Sequence, residues 1–233
     1  MLTRATAISA ALAVLATGGL ATAAVARSHS SADGGGAWNV VAGGDLKGPP
    51  AAKKPVGTQP KPVDKVPALK AAQVRYQHES WGDPKTEVGV VIWAPKGWKK
   101  VKLSTFEVKF TSPNGRWNLR VDATAKDEPI KTAADAKYEL TSSSTEDFKL
   151  ISRETGATRA TNPNFQGVIF HHRTLTYTYT DPNRGPRLVV DRFVSIDDTA
   201  HTMFEVSTGG RPQDAAALAA ITAKATEDFI RLP

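Results

Sequence analysis

Apolar positions follow three regimes along the chain. An uncharged, Ala-rich run covers residues 5–25, a Gly/Pro/Lys-rich stretch without apolar period follows it, and regular alternation sets in near residue 87. Glu87-Val88-Gly89-Val90-Val91-Ile92-Trp93-Ala94 is short, dense and β-branched, which predicts a buried strand that Pro95-Lys96-Gly97-Trp98 breaks. Thr105–Thr111 alternates, with Phe106, Val108 and Phe110 on one face and Glu107 and Lys109 on the other. Trp117–Ala123 alternates again. Between them Ser112-Pro113-Asn114-Gly115-Arg116 has turn composition, so the two runs predict a hairpin.

A helix is expected next. Thr132 with Asp135 three residues on has the spacing of a capping box, and Ala134, Tyr138, Thr141, Thr145 and Phe148 recur at helical spacing. Leu150–Glu154 predicts a strand, and Asn162-Pro163-Asn164 a loop. In the following long strand Val168 and Phe170 share a parity opposite to that of Leu175, Tyr177 and Tyr179. Either both faces are covered or a bulge near His171-His172-Arg173 swaps the register. Turns at Asp181–Gly185 and Asp197-Asp198 then complete a β-meander.

The last element reads as an amphipathic helix. Pro212 suits its first turn, and Leu218, Ile221, Ala225, Phe229 and Leu232 form a stripe opposite Lys224, Glu227, Asp228 and Arg231. One helix after the hairpin and one after the meander give an α+β domain with a largely antiparallel sheet over residues 87–233.

The N-terminal regimes carry a different message. Met1–Arg4 is a short basic region, residues 5–25 are uncharged, and Ala24-Val25-Ala26 offers small residues for signal peptidase, so residues 1–26 read as an export signal. Uncleaved, the same stretch would act as a membrane anchor. Residues 27–86 read as a spacer, since Gly34-Gly35-Gly36, Pro49-Pro50, Pro55, Pro60, Pro62 and Pro67 leave too little apolar area to offset chain entropy.

Charge and cysteine content narrow the function. The net charge is +7, yet residues 27–69 hold six Lys/Arg against three Asp, whereas residues 87–233 hold 20 basic against 18 acidic side chains. Nucleic-acid binders concentrate basic charge on the folded domain, so nucleic acid is not an expected partner. With no cysteine, disulfides and thiolate metal sites are excluded.

One resemblance follows from these segments. Pro95, Gly97 and Trp98 after the apolar strand, then Trp117-Asn118-Leu119-Arg120-Val121, Tyr177-Thr178-Tyr179-Thr180, Arg192-Phe193-Val194 and the terminal Glu227-Asp228-Phe229 resemble actinobacterial extracytoplasmic domains of the LpqN type. They also resemble the extracellular domains of some actinobacterial membrane Ser/Thr kinases. The resemblance implies a PsbP-like α/β/α sandwich and a non-catalytic binding or accessory role. This chain carries no kinase portion and no lipobox cysteine, so neither signalling nor lipid anchoring carries over.

Candidate chemistry is sparse. No Gly-x-Ser-x-Gly or Ser-x-x-Lys pattern occurs, and no phosphate-cradling glycine loop with its lysine. The pairs Asp127-Glu128, Glu146-Asp147, Asp197-Asp198 and Glu227-Asp228 fall at expected turns or helix surfaces, where charge is solvated. His171 and His172, adjacent on a strand, point to opposite faces and lack metal-ligand spacing, so neither a metal nor a cofactor is expected. Trp81, Trp93, Trp98 and Trp117 suit either core packing or stacking on sugars and peptides. The polar triplet His171, His172 and Arg173 is the candidate ligand-binding site. The sequence therefore reads as an exported, non-enzymatic binding or accessory protein of the cell envelope, secreted or held at the extracytoplasmic face of the cell membrane. Its expected partner is a protein, a glycan or an anionic envelope polymer. An envelope hydrolase with an unrecognised site and a signal-anchored spacer are the competing readings.

Overall fold

A computed structural model of the chain describes residues 65–86 and 88–232. The expected signal and most of the spacer lie outside the described residues. Among the described residues the chain forms ten strands, two α-helices and short 3₁₀ turns. Strands β1 (Tyr76–Asp83), β2 (Val88–Pro95) and β10 (Ile230–Leu232) form a small sheet with β2 at its centre. The large sheet has the order β3-β4-β5-β9-β8-β7-β6, where β3 is Lys99–Lys102, β4 Glu107–Thr111, β5 Asn118–Asp122, β6 Glu146–Arg159, β7 Ile169–Asp181, β8 Gly185–Ile196 and β9 Phe204–Gly210. Every described strand pair is antiparallel. The domain is thus α+β with a C-terminal helix.

Three layers result. Helix α2 (Ala215–Glu227) and the small sheet cover one face of the large sheet. There Val90, Ile92 and Ala94 of β2 pack with Val108, Phe110, Leu119, Val121, Phe204 and Val206, joined by Ile221 and Ala225. Helix α1 (Ile130–Ser144) covers part of the opposite face, setting Ile130, Ala133 and Ala134 against Leu175, Tyr177, Tyr179, Val189 and Phe193. Both faces of β8 are therefore covered, and the buried positions of β7 pass from one face at Phe170 to the other at Leu175, Tyr177 and Tyr179, which explains the change of parity along β7. Pairing of β7 with β8 is continuous from Phe170↔Ile196 to Asp181↔Gly185, so the alternative of a bulge at His171–Arg173 does not hold. The register shifts lie instead in β6, near Glu146–Ser152.

Several expectations change. The fold includes β1, which lies within the stretch expected to be spacer. Its eight residues pair fully with β2 from Tyr76↔Pro95 to Asp83↔Val88, and Trp81 is buried against the core. Upstream, the Arg211 guanidinium donates to the carbonyls of Val66 and Pro67 at 2.7 and 2.8 Å. Asp214 accepts from the Leu69 amide and from Trp117 Nε1. Helix α1 begins at Ile130 behind Pro129 without a side-chain cap, so Thr132 and Asp135 form no capping box. Asp135 instead takes Lys131 and Arg153 at 2.6 and 2.7 Å. Phe148 belongs to β6 but still packs edge-on against Tyr138. Pro212 opens a 3₁₀ turn ahead of α2, and α2 ends at Glu227, so Leu232 sits in β10 rather than on the helix. Gly115 takes a φ of 70° in the β4–β5 turn, as its Asn-Gly composition suggested.

Candidate functional site

Helix α1 packs on β6, β7 and β8 and reaches β9 through the Lys137 side chain, leaving the same face of β4 and β5 without a helix packed above it. Strict alternation lays polar side chains across this open half. Lys109 of β4 is in register with Arg120 of β5, Arg120 with Ser207 of β9, and Ser207 with Asp191 of β8. One step along the strands, Glu107, Asp122 and Glu205 form a second row, and Thr111, Asn118 and Gly209 a third. The opposite parity, Val108, Phe110, Leu119, Val121 and Val206, fills the core.

These side chains hold one another in place. Arg120 Nε donates to Glu107 Oε1 at 2.6 Å, and its guanidinium also lies 3.5 Å from Glu205. Lys137, reaching down from α1, donates to Glu205 at 2.9 Å and stands 3.9 Å from Asp191. The Tyr177 hydroxyl donates to the same Asp191 oxygen. Burial pushes the Asp191 carboxyl up, Glu205 adds to that, and Lys137 only partly offsets it. Burial acts on Glu205 in the same direction, but Lys137 and Arg120 outweigh it and hold that carboxyl below its ordinary value. The two acids are thus pushed apart.

Two arginines stand farther along the same face, on β8 and the turn before it. Arg187 of β8 shares the parity of Asp191 and is 2% exposed. Its Nη1 donates to the Arg116 carbonyl at 2.9 Å, and its Nε has no partner. Arg184, in the β7–β8 turn, binds Asp181 at 2.8 Å.

The sequence candidates are divided by the sheet. His171 and Arg173 share the face covered by α1, whereas His172 points to the other face. The triplet lies within β7, an interior strand between β6 and β8. Arg173 donates to Thr155 Oγ1 at 2.8 Å, and His172 Nε2 lies 3.3 Å from Thr158 Oγ1. Burial, with the neighbouring Arg192, lowers the His172 pKa to about 4. Among the described residues no group of three or more His, Asp or Glu is placed to hold a metal ion.

A second polar pair was hidden in the sequence. His78 of β1 lies 2.9 Å from Asp228 and stacks on Trp93 with ring centroids 3.8 Å apart. The imidazole is 53% exposed and the carboxylate 7%, so Asp228 is buried rather than solvated at a helix surface. Lys224, paired with Glu227, stands over the Trp93 ring. Sequence distance concealed this group, since 150 residues separate the histidine from its acid.

No family model matches the chain, and no curated protein matches it in sequence. Among solved structures it is similar to LpqN of Mycobacterium tuberculosis, involved in cell envelope biogenesis, at 17% identity and a TM-score of 0.42, over 70% of this chain and 95% of that one. It is also similar to the Saccharomyces cerevisiae Ran-binding protein Mog1p, at 9% identity and a TM-score of 0.40, over 67% of this chain and 96% of that one. Among the described residues no helix is long and apolar enough to cross a membrane.

Proposed function

We propose that this chain is an exported, non-enzymatic binding or accessory protein of the cell envelope, and that it holds its ligand on the open half of the large sheet. The observation that carries this reading is the fixed polar group of Glu107, Arg120 and Asp122 on β4 and β5, where no helix packs above the sheet, braced by the buried Glu205 and Ser207 beside it. A lattice already locked by its own ion pairs loses little side-chain entropy when a ligand arrives. Its donors and acceptors suit a hydroxyl-rich or charged envelope polymer better than an apolar partner. The export reading rests on the basic start, the uncharged run and the Ala-Val-Ala site. The ligand surface is placed here rather than on His171, His172 and Arg173 because that triplet is split between two faces.

The test is co-sedimentation of the full chain with the insoluble envelope fraction of its own cells. Wild type should pellet with the fraction, and Thr111→Trp, which puts bulk on the open half, should stay in solution with unchanged thermal unfolding. Equal sedimentation of both would move the surface elsewhere.

A second reading rests on His78 and Asp228. A buried carboxylate orienting a half-exposed imidazole is the base-and-orienter part of a hydrolytic site. No hydroxyl is hydrogen-bonded to His78 among the described residues. Ester hydrolysis by wild type that disappears in His78→Gln would establish this reading over the binding one.

A further inference from the structure

One edge of the large sheet combines unpaired charge with exposed apolar side chains. Between Glu87 and Glu107 the chain has no acidic residue, and the cations of that stretch, Lys96, Lys99, Lys100 and Lys102, run through the β2–β3 turn and along the edge strand β3. Lys99 and Val101 share one side of β3. The Leu103 amide continues the ladder by donating to the Glu107 carbonyl at 2.9 Å, so Leu103 follows on that side. Lys100 and Lys102 take the other side, donating to the carbonyls of Ser80 and Gly82 on β1 at 2.6 and 2.9 Å. Val101 and Leu103 are 42% and 49% exposed, two of the four large apolar side chains so exposed among the described residues. Trp98 packs on the core and fixes the turn, with Lys96 and Lys99 in solvent on either side of it. The Lys96 amide donates to the Arg75 carbonyl at 2.7 Å, which sets exposed Arg75 beside them. Among the described residues none of Arg75, Lys96, Lys99 and Lys102 pairs with an acid, and the acids beside the strip, Glu79 and Glu107, are held by Lys100 and Arg120.

We propose that the strip from Lys96 to Leu103 rests on an anionic membrane surface, with Val101 and Leu103 entering the interface and Arg75, Lys96 and Lys99 on the head groups. Unpaired cations alone would suit any polyanion. Exposed aliphatic side chains among them gain nothing from a hydrated polymer but gain from the acyl boundary, and the two together make an interfacial contact. A strand from another protein is the poorer occupant, since lysines along a sheet edge keep strands from adding there. Each cation near an anionic bilayer strengthens binding about fivefold, so the contact is reversible and weakens with salt. The strip borders the open half and does not depend on what that face holds.

The chain has no cysteine, so Val101→Cys in the full chain carries a single environment-sensitive dye on the strip itself, and Ile151→Cys carries it on the opposite sheet edge, β6. The probes are vesicles of equal parts phosphatidylglycerol and phosphatidylcholine, vesicles of phosphatidylcholine alone, and soluble polyphosphate. The dye at residue 101 should shift to the blue with the anionic vesicles only, saturably and reversibly in high salt, and the dye at residue 151 should not respond. Adding Lys96→Gln/Lys99→Gln should raise the lipid needed for that shift about tenfold or more, whereas Lys96→Arg/Lys99→Arg should keep it near wild type, with unfolding temperatures unchanged. Leu103→Ser should raise it several-fold. Absence of a shift at residue 101, whether or not the chain sediments with the vesicles, would overturn the proposal, as would equal shifts at both positions. Polyphosphate that perturbs the dye while anionic vesicles leave it unchanged would assign the strip to a hydrated polyanion instead. Thr111→Trp on the open half should leave the blue shift in place, so failure of the membrane contact and failure of the open-half reading are told apart.

Discussion

The Tyr177 hydroxyl donates a hydrogen bond of 2.8 Å to Asp191 Oδ2, with both side chains buried beneath α1. This contact marks the line where the apolar layer under the helix gives way to the polar open half. Tyr177 packs with Leu175, Val189 and Phe193 on one side, and Asp191 meets Lys137 on the other.

Removing that hydroxyl leaves a buried carboxylate short of one donor. Tyr177→Phe should cost about 1–3 kcal/mol in urea unfolding. The folded carboxyl of Asp191 titrates above its unfolded value, so its stabilising contribution is present at low pH and fades as pH rises through the folded value. The stability difference between wild type and Asp191→Asn should therefore shrink from pH 4 upward. A difference that grows with pH would contradict the burial argument.

His172 shows the opposite sign. Its pKa is lowered to about 4 in the fold, so the unfolded chain takes up a proton first and stability falls as pH drops from about 6.5 to about 4. Thermal unfolding of His171→Gln/His172→Gln should lose that slope, worth about 1–3 kcal/mol after allowing for the ring's partial exposure. The double variant should stay folded at pH 7.

Asp214 ties the start of the fold to its end. With Arg211, Trp117 and Leu69 all bonded to one buried carboxylate, Asp214→Ala should cost about 3–5 kcal/mol. Limited proteolysis of wild type should leave a resistant fragment that still contains residues 66–83. A resistant fragment starting near residue 85 would contradict the pairing of β1 with β2.

Phe229 is 1% exposed and stacks on Phe204 with ring centroids 3.7 Å apart. Phe229→Ala should cost about 3–5 kcal/mol in the same urea measurement. A loss below about 1 kcal/mol would place that ring in solvent.

The strands were legible because period-two alternation writes the core directly. Phe106, Val108 and Phe110 declared their face, and the Asn-Gly turn declared the β4–β5 hairpin. Strand β1 was not legible: Tyr76–Asp83 alternates His78 and Ser80 with Gln77 and Glu79, and only its pairing with β2 makes it a strand. Strand β10 was hidden by a helical stripe that continues past the end of α2. The candidate site was harder still. Lys109, Arg120, Ser207 and Asp191 are polar positions in alternating strands and look like ordinary solvent-facing residues. Strand order β4-β5-β9-β8, set by long-range pairing, is what brings them into one row. His78 and Asp228 meet through the same kind of long-range closure.

Amide-shift mapping of the full chain during addition of solubilised fragments of its own envelope tests the binding surface most directly. The shifts should concentrate in residues 107–111, 118–122 and 205–207. Shifts centred on His171–Arg173, or on His78, Trp93 and Lys224, would contradict a ligand held on the open half of the sheet.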